Sequence, residues 1–142
     1  MKIVKAEDKN FEAVYELICE LESTLIDRQG FYEVYSHNLT DDDIHYILAV
    51  DGLEVVGFAS LHIQYLLHHA SKIGELQELI VRGEKQGLGI GKTLFETIKK
   101  IAAENGCTQL EVCCNQTRKG SHEFYLKQGM NNSHYKFTIA ID

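Results

Sequence analysis

A run covering residues 73–105 constrains the fold of this chain more than any other stretch, because it reads as a strand, a glycine-rich turn and a helix in succession. Five of its first ten residues are β-branched or aliphatic, which favours a strand. Gly87, Gly89 and Gly91 alternate in the turn. The apolar residues that follow recur at helical spacing, and Gly106 lies where a helix stop is expected. The sequence therefore predicts a strand–loop–helix unit.

A loop of this kind is suited to binding phosphate. Glycine has no Cβ, so backbone N–H groups can approach an anion closely, and a helix N-terminus adds partial positive charge. Two common phosphate loops do not fit. A Walker A loop needs glycine where Gln86 stands, although Gly91, Lys92 and Thr93 match its end. A dinucleotide fingerprint needs its third glycine where Lys92 or Leu94 stands.

The loop instead carries a Q-x-x-G-x-G pattern, formed by residues 86–91 between a predicted strand and a predicted helix. This pattern resembles the pyrophosphate loop of the GCN5-related N-acetyltransferase (GNAT) superfamily. The resemblance implies a transferase of the acyltransferase class that uses acetyl-CoA as co-substrate. It also implies that the cofactor is contacted by Leu79, Ile80, Val81, Gln86, Gly87, Leu88, Gly89, Ile90, Gly91, Lys92 and Asn115.

Hydrophobic periodicity and turn residues along the rest of the chain predict, together with this unit, the element order β-α-α-β-β-β-α-β-α-β. A hairpin meander that leads into a strand–helix–strand crossover gives an α/β (α+β) mixed sheet with helices on both faces. The GNAT acyl-CoA N-acyltransferase fold implies the same order over nearly the whole chain, so we expect one domain, residues 1–142. The other strands are predicted at residues 2–6, 45–50, 54–65, 108–115 and 134–141, and the other helices from Asp8 or Asn10 to about Asp27, at residues 31–37 and at residues 119–128.

Charge narrows the class of partner. The net charge of −7 argues against nucleic acid as a ligand. Residues 1–71 carry 4 basic and 13 acidic side chains, whereas residues 72–142 carry 10 basic and 8 acidic ones. The second half could attract a polyphosphate and the first half an amine. The chain has no apolar run long enough to span a membrane and no signal-peptide core, so we expect a cytoplasmic protein without a membrane partner.

The four cysteines fit a reducing compartment. Cys19, Cys107, Cys113 and Cys114 form no C-x-x-C pair. Cys113 and Cys114 are expected on opposite faces of a strand, which does not favour a shared metal. Reduced, partly buried thiols are the simpler interpretation.

Glu78 is the candidate general base. It lies inside the otherwise apolar segment LQELIV, where a carboxylate costs several kcal/mol unless it is paired or solvated. The GNAT resemblance implies that a glutamate here deprotonates the amine, often through water. The alternatives are that Glu78 faces solvent or pairs with Arg82. Glu75 is the second candidate base, and a bulge is needed to bring both carboxylates to one face, because strict alternation separates them.

Tyr125 is the candidate general acid. The segment at residues 122–130 resembles the F-Y-x-x-x-G-F/Y signature of the superfamily, which implies that the Tyr125 hydroxyl reaches the sulfur of coenzyme A. Met130 stands where the signature has an aromatic residue. The alternative is a tyrosine half-buried on an amphipathic helix. Asn115, at the end of the preceding predicted strand, resembles an asparagine that contacts the pantetheine arm.

Four further segments narrow the acceptor. Residues 61–69 and 73–79, together with residues 15–21 and 133–138, are similar to the aminoalkylphosphonate N-acetyltransferase family of phosphonate-utilisation operons. The resemblance implies a small aminoalkylphosphonate as the amine substrate. The alternatives are another amine (a polyamine, an aminoglycoside or a protein N-terminus) and a non-catalytic acyl-CoA-binding regulatory module. Because many GNAT proteins dimerise, a homodimer is one expectation.

Histidines near the predicted acceptor site form a candidate anion-binding group. His62, Gln64 and His68 share parity on an extended strand, and with Glu75 they are the expected substrate-binding residues. His69 faces the other way on that pattern. Such a cluster can bind a phosphonate or a divalent metal, although no spacing matches a zinc signature. Ordinary exposed or hydrogen-bonded histidines are the alternative.

Overall fold

The computed structural model describes residues 1–141. These residues form five strands, four α-helices and three short 3₁₀ turns. Loops of only a few residues join most of the elements, which follow the predicted order except at the C-terminal end. The elements are β1 Lys2–Lys5, α1 Phe11–Glu22, α2 Arg28–Leu39, β2 Ile44–Asp51, β3 Glu54–Leu66, β4 Ser71–Val81, α3 Ile90–Glu104, β5 Cys107–Val112 and α4 Lys119–Lys127.

The chain separates into two compact units, and each is described by itself. The first unit, residues 1–111, holds nearly the whole sheet and helices α1 to α3. The second begins at Val112 and holds α4 with the segment that follows it.

The sheet runs in the order β1-β2-β3-β4-β5. Strands β1 to β4 form an antiparallel meander, in which each strand pairs with the one that precedes it in sequence. Gly52, with φ of +63°, lies in the tight turn between β2 and β3, where an Asp-Gly pair favours a hairpin. The mixed sheet flanked by helices confirms the predicted fold class.

Helices α1 and α2 cover one face of the sheet with an aromatic core. Phe58 on β3 is 2% exposed and pairs with Leu48 on one side and Ile80 on the other, so these three side chains share that face. The helices contribute the rings that pack over them. The buried cluster consists of Ala6, Phe11, Val14, Tyr15, Leu17, Ile18, Tyr35, Tyr46, Leu48, Phe58 and Ile80.

Helix α3 covers the opposite face, where two glycines permit close packing. A Cβ on Gly57 would lie 3.0 Å from Leu94 Cδ1, and a Cβ on Gly74 would lie 3.3 Å from Ala102 Cβ. The strands can therefore approach α3 more closely than a larger side chain would allow. This contact fixes the position of α3, and the glycine loop lies directly before the first turn of that helix.

The boundary between the first two helices differs from the prediction. Helix α1 ends at Glu22, because Ser23 adopts the left-handed conformation (φ of +53°), and does not continue to Asp27. Asp27 instead caps α2, where its side chain accepts a hydrogen bond from the Gly30 amide at 2.8 Å. The second helix therefore begins at Arg28, earlier than the predicted residue 31.

Two predicted strand assignments near the C-terminus are wrong. Strand β5 ends at Val112, so Cys113 and Cys114 lie in the loop after it. Residues 131–141 form no strand. Their alternating pattern is real, but period-2 apolar residues make a strand only when a neighbouring main chain completes the hydrogen-bonded ladder. The apolar side chains of this segment are 84–92% exposed: Tyr135, Phe137, Ile139 and Ile141.

Candidate active site

A β-bulge in β4 brings the two candidate bases onto one face of the sheet. Ser60 on β3 pairs with Glu78, but the next residue, Leu61, pairs with Leu76. Gln77 is therefore an extra residue on β4, and the alternation of side chains shifts by one across it. The bulge that the sequence required for Glu75 and Glu78 to share a face is thus present.

The same register places a histidine beside the bulge. His62 pairs with Glu75, one step along the face from the pair formed by Ser60 and Glu78. Because side chains two apart on a strand share a face, Ser60, His62 and Gln64 project to the same side of the sheet. Two carboxylates and one imidazole therefore line a single surface.

Burial decreases steadily along this surface. Phe58 and Ser60 are buried, His62 is half-buried and Gln64 is exposed. The polar residues therefore lie at the margin of the aromatic core, where the sheet leaves the cover of α1 and α2. A site at such a margin combines a partly desolvated carboxylate with access for a small polar substrate.

Glu78 is held by Ser60 and not by Arg82. The Ser60 hydroxyl donates a hydrogen bond to the Glu78 carboxylate and accepts one from the Glu78 amide at 3.0 Å. The Arg82 guanidinium instead donates to the Val55 carbonyl at 3.1 Å and lies 3.5 Å from the carboxylate of Glu54. The alternative that Glu78 pairs with Arg82 is therefore wrong.

A buried tyrosine lies in the same lateral row. Tyr46 on β2 pairs with Ser60, so Tyr46, Ser60 and Glu78 occupy three adjacent strands. Its phenol oxygen accepts a hydrogen bond from the Asn38 amide at 2.7 Å. Burial raises the pKa of Tyr46, the Asn38 hydrogen bond lowers it, and the charge of Glu78 raises it. The phenol is therefore neutral and polar beside the candidate base.

The glycine loop has the backbone conformation that its sequence predicts. Gly87 and Gly89 adopt φ of +81° and +84°, which side chains other than glycine rarely tolerate. The Gln86 side chain closes the loop by donating to the Val81 carbonyl at 3.0 Å. Helix α3 begins at Ile90 directly after Gly89 and has no side-chain cap. Its first amides are thus left for an anion.

The surface beside the loop is open and partly basic. Within residues 1–141, the backbone amides of Gly87, Leu88 and Gly89 have no main-chain acceptor. Two depressions of about 240 and 340 Å³ flank the first turns of α3. The unpaired loop amides and the open, partly basic surface beside them therefore fit a bound diphosphate. The depressions are lined by Met1, Asp51, Lys85, Leu88, Gly89, Ile90 and Thr93, and by Lys92, Thr93, Glu96, Thr97 and Lys100.

The strand segment before the loop is firmly fixed in the sheet. Leu79, Ile80 and Val81 pair with Ala59, Phe58 and Gly57 of β3, in that order. Ile80 is part of the aromatic core, so its side chain is not available to a ligand. A contact between this segment and the cofactor would therefore come from its main chain, and it stays a prediction.

The histidine group is only partly assembled. Strand β3 ends at Leu66, and His68 and His69 lie in a 3₁₀ turn, so the parity argument for His68 is wrong. Their rings are 4.5 Å apart, and His69 Nε2 lies 3.8 Å from the Glu111 carboxylate. Among residues 1–141, no three histidine, cysteine or acidic side chains are grouped to hold a metal ion.

The second unit carries Asn115 and Tyr125. Asn115 lies in a loop beyond β5, where its side chain accepts from the Thr117 amide at 2.9 Å, so it does not end a strand as predicted. Tyr125 lies half-buried on α4. Burial raises its pKa to about 12, with a further rise from Cys114 and an opposing effect of Arg118. The phenol therefore holds its proton at neutral pH, as a general acid must.

Sequence reasoning missed Ser60, Tyr46 and Asn38. Ser60 carried a usable signal, because it is one hydroxyl inside the apolar strand segment VGFASLHI. The cross-strand row of Tyr46 and Ser60 depends on register, which the sequence pattern alone did not fix. Asn38 lies on α2 and contacts the row through Tyr46, and no pattern in the sequence around Asn38 indicates this contact.

Comparison with known proteins decides the family. The sequence model of the "Acetyltransferase (GNAT) family" matches residues 11–130. The chain belongs to the GNAT family. It is 41% identical over 136 residues to the aminoalkylphosphonate N-acetyltransferase of Salmonella typhimurium, covering 96% of this chain and 88% of that protein. It is also 27% identical over 101 residues to the glucosamine 6-phosphate N-acetyltransferase of Candida albicans, covering 69% and 68% of the two chains.

Solved structures agree with the fold. The GNAT chain superimposes on a transcriptional regulator from Bacillus halodurans with a TM-score of 0.90 and 19% identity, covering 99% of both chains. It superimposes on glucosamine-6-phosphate N-acetyltransferase from Arabidopsis thaliana with a TM-score of 0.82 and 21% identity, covering 99% and 98%. At these identities the likeness concerns the fold alone.

Family membership settles the coarse activity. The chain is an N-acetyltransferase that takes its acetyl group from acetyl-CoA. This agrees with the open amides of the glycine loop, and it excludes the non-catalytic alternative. No helix in the part of the chain that the structure describes is long and apolar enough to cross a bilayer.

Proposed function

We propose that this GNAT enzyme acetylates the primary amine of a small aminoalkylphosphonate. The observation that carries the proposal is the 41% identity, over 96% of the chain, to a protein named aminoalkylphosphonate N-acetyltransferase. The family match spans residues 11–130, which lie in both compact units, and we propose that residues 1–142 act as one GNAT domain.

The polar face of the sheet supports an acceptor with a positive and a negative end. Glu75 and Glu78 project to one face and supply negative charge for an ammonium group. His62, opposite Glu75, and Gln64 supply hydrogen-bond donors for a phosphonate. His68 is exposed in the neighbouring turn and is a further phosphonate ligand in this proposal.

The chemistry requires the amine nitrogen to lose two protons and the leaving sulfur to gain one. Glu78 accepts a proton from the ammonium group, directly or through one water, so that the nitrogen gains a free electron pair. The nitrogen forms a C–N bond to the thioester carbonyl carbon, and backbone N–H groups stabilise the charge on the carbonyl oxygen. The C–S bond then breaks, the departing thiolate takes a proton from Tyr125, and the positively charged nitrogen returns a proton to the Tyr125 phenolate, directly or through one water, to give the neutral amide. Acetyl-CoA supplies the activated acyl group.

A substrate panel tests the acceptor class. Purified enzyme is mixed with acetyl-CoA and aminomethylphosphonate, 2-aminoethylphosphonate, a polyamine, an aminoglycoside or a peptide with a free N-terminus, and thiol release is followed. We expect kcat/KM to be at least about tenfold higher for the phosphonates, which corresponds to one charge-assisted contact. A higher value for any other amine would overturn the acceptor assignment and leave the acetyltransferase intact.

The same assay tests whether a divalent metal takes part in binding the phosphonate. Rates are measured with and without EDTA, and then with added divalent cation. If a metal bridges the phosphonate to the histidines, chelation raises KM for the phosphonate and cation restores it. An unchanged rate removes the metal from the proposal, and the histidines then bind the anion directly.

Replacing each of the two glutamates by glutamine tests which of them is the general base. We expect Glu78→Gln to lower kcat by roughly 10²- to 10⁴-fold, the usual contribution of a general base. Glu75→Gln should chiefly raise KM for the amine, because it removes only a charge that attracts the ammonium group. Glu104→Gln at the exposed end of α3 is the control and should leave both constants unchanged. The reverse order of effects would make Glu75 the base.

The cytoplasm is the proposed site of the reaction. The four cysteines are free thiols in the structure, which suits a reducing compartment. Fractionation of the source cells with antibody detection tests this proposal.

A further inference from the structure

We infer that Ser60 is a positioning residue that orients the Glu78 carboxylate for its work as a base by donating a hydrogen bond to it. This inference rests on the proposed role of Glu78. It adds a residue that the GNAT resemblance did not indicate and that lies on a different strand from the base.

The burial of Ser60 needs an explanation. Its side chain is 0% exposed, and apart from the tyrosines it is the one buried residue of the described chain with a polar side chain. Its neighbours along β3, Ala59 and Leu61, are buried and apolar. A hydroxyl in such a place costs free energy unless its hydrogen-bonding capacity is used, so an apolar residue would be expected if packing were the only requirement.

Both hydrogen bonds of the Ser60 hydroxyl go to one residue. Its oxygen accepts from the Glu78 amide at 3.0 Å, and its proton is donated to the Glu78 carboxylate. A serine has a single proton, so this arrangement commits it to the carboxylate. The hydroxyl thereby links the main chain and side chain of Glu78 in a closed ring, which restricts the rotamers open to the carboxylate.

The bulge explains why this arrangement occurs here. The extra residue, Gln77, interrupts the ladder between β3 and β4 next to Glu78. The Ser60 side chain supplies an acceptor for the Glu78 amide at that interruption. The same hydroxyl thus stabilises the bulge and fixes the base, and an experiment must separate the two effects.

The electrostatic effect follows from the direction of the hydrogen bond. Donation to a carboxylate stabilises its ionised form, which is the form that accepts a proton. The other titratable groups on this face are Tyr46 from β2, His62 from β3 and Glu75 from β4. Helices α1 and α2, which pack on the same face, bring the neutral phenols of Tyr15 and Tyr35.

A pH profile separates positioning from stability. We expect Ser60→Ala to lower kcat/KM roughly tenfold at pH 7 and to move the acidic limb of the profile upward by about one pH unit, because a hydrogen bond to a charged group is lost. KM for acetyl-CoA should not change. A lower rate with an unmoved acidic limb would mean that Ser60 only supports the fold, and would overturn the inference.

Two further variants guard against a folding effect. Ser36 on α2 also has a buried hydroxyl, but this one has no hydrogen-bond partner among residues 1–141, so Ser36→Ala is the matched control and should leave the profile unchanged. Ser60→Thr keeps the hydroxyl and should restore the acidic limb. If Ser60→Ala does not fold, Ser60→Cys, with a weaker donor, replaces it under the same criteria.

A double-mutant cycle distinguishes this inference from the assignment of the base. In a Glu78→Gln background, Ser60→Ala should cost less than about twofold in kcat/KM, since its effect passes through the carboxylate. An undiminished tenfold loss in that background overturns the positioning role. If Glu78→Gln alone is silent, the assignment of the base fails, whatever Ser60 does.

Discussion

A carboxylate inside an apolar strand has to be compensated by a neighbour, and in this chain the neighbour comes from the adjacent strand. Glu78 could be singled out because its surroundings in the sequence are apolar. Ser60 also stands out in its own apolar segment, but it could not be assigned as the partner of Glu78, because it precedes Glu78 by 18 residues and meets it only in the register of β3 with β4. Residue-scale reasoning therefore identified the group that needs a partner and not the partner itself.

Tyr125 allows a pH prediction at the same scale. Burial raises its pKa to about 12, so the phenol stays protonated, and able to donate, as the pH rises through its ordinary value of 10. If it is the general acid, Tyr125→Phe should lower kcat by the same factor at pH 7 and at pH 10.5, and we expect that factor to be about 10²-fold.

The measurement is kcat for acetyl transfer at both pH values, with saturating substrates. Tyr135→Phe is the control, because Tyr135 is 84% exposed in the C-terminal segment. A loss factor that becomes about fourfold smaller at pH 10.5 would mean that the phenol ionises near its ordinary pKa, which contradicts the raised value.

At the scale of elements, the loop before α3 owes its function to backbone conformation. Gly89 has φ of +84°, lies directly before the first turn of α3 and leaves amides free for a diphosphate. We expect Gly89→Ala to raise the Kd for acetyl-CoA roughly tenfold or more, because the strain of a left-handed alanine, about 1 kcal/mol or above, relaxes by reorienting these amides.

Gly52→Ala is the matched control. Gly52 also has positive φ (+63°) and an open space where a Cβ would stand, but it lies in the turn between β2 and β3. Both variants should lose similar stability in thermal unfolding, and only Gly89→Ala should bind acetyl-CoA more weakly in calorimetry. Equal Kd values for the two would show that the loop conformation does not serve the cofactor.

At the scale of the whole molecule, two phenylalanines mark the extremes of burial. Phe58 is 2% exposed in the sheet core, whereas Phe137 is 92% exposed in the segment without regular structure. We expect Phe58→Ala to lower the free energy of unfolding by about 3–5 kcal/mol, because it leaves a cavity. Phe137→Ala should change it by less than about 0.5 kcal/mol.

Urea unfolding of both variants, with the slope checked against the unsubstituted protein, measures these differences. A large loss for Phe137→Ala would mean that the C-terminal segment buries its alternating side chains in solution. That result would restore the strand that the sequence predicts at residues 134–141.

The sequence by itself determined the features that local chemistry dictates. Alternating glycines before an amphipathic pattern specified the strand–loop–helix unit, since left-handed backbone and helical periodicity are properties of neighbouring residues. Only the tertiary structure decided what depends on residues far apart in the chain. The bulge at Gln77, the row of Tyr46, Ser60 and Glu78, and the missing strand at residues 134–141 all follow from which main chains meet. Strand register sums many weak contacts over long separations, and no single stretch of sequence contains that sum.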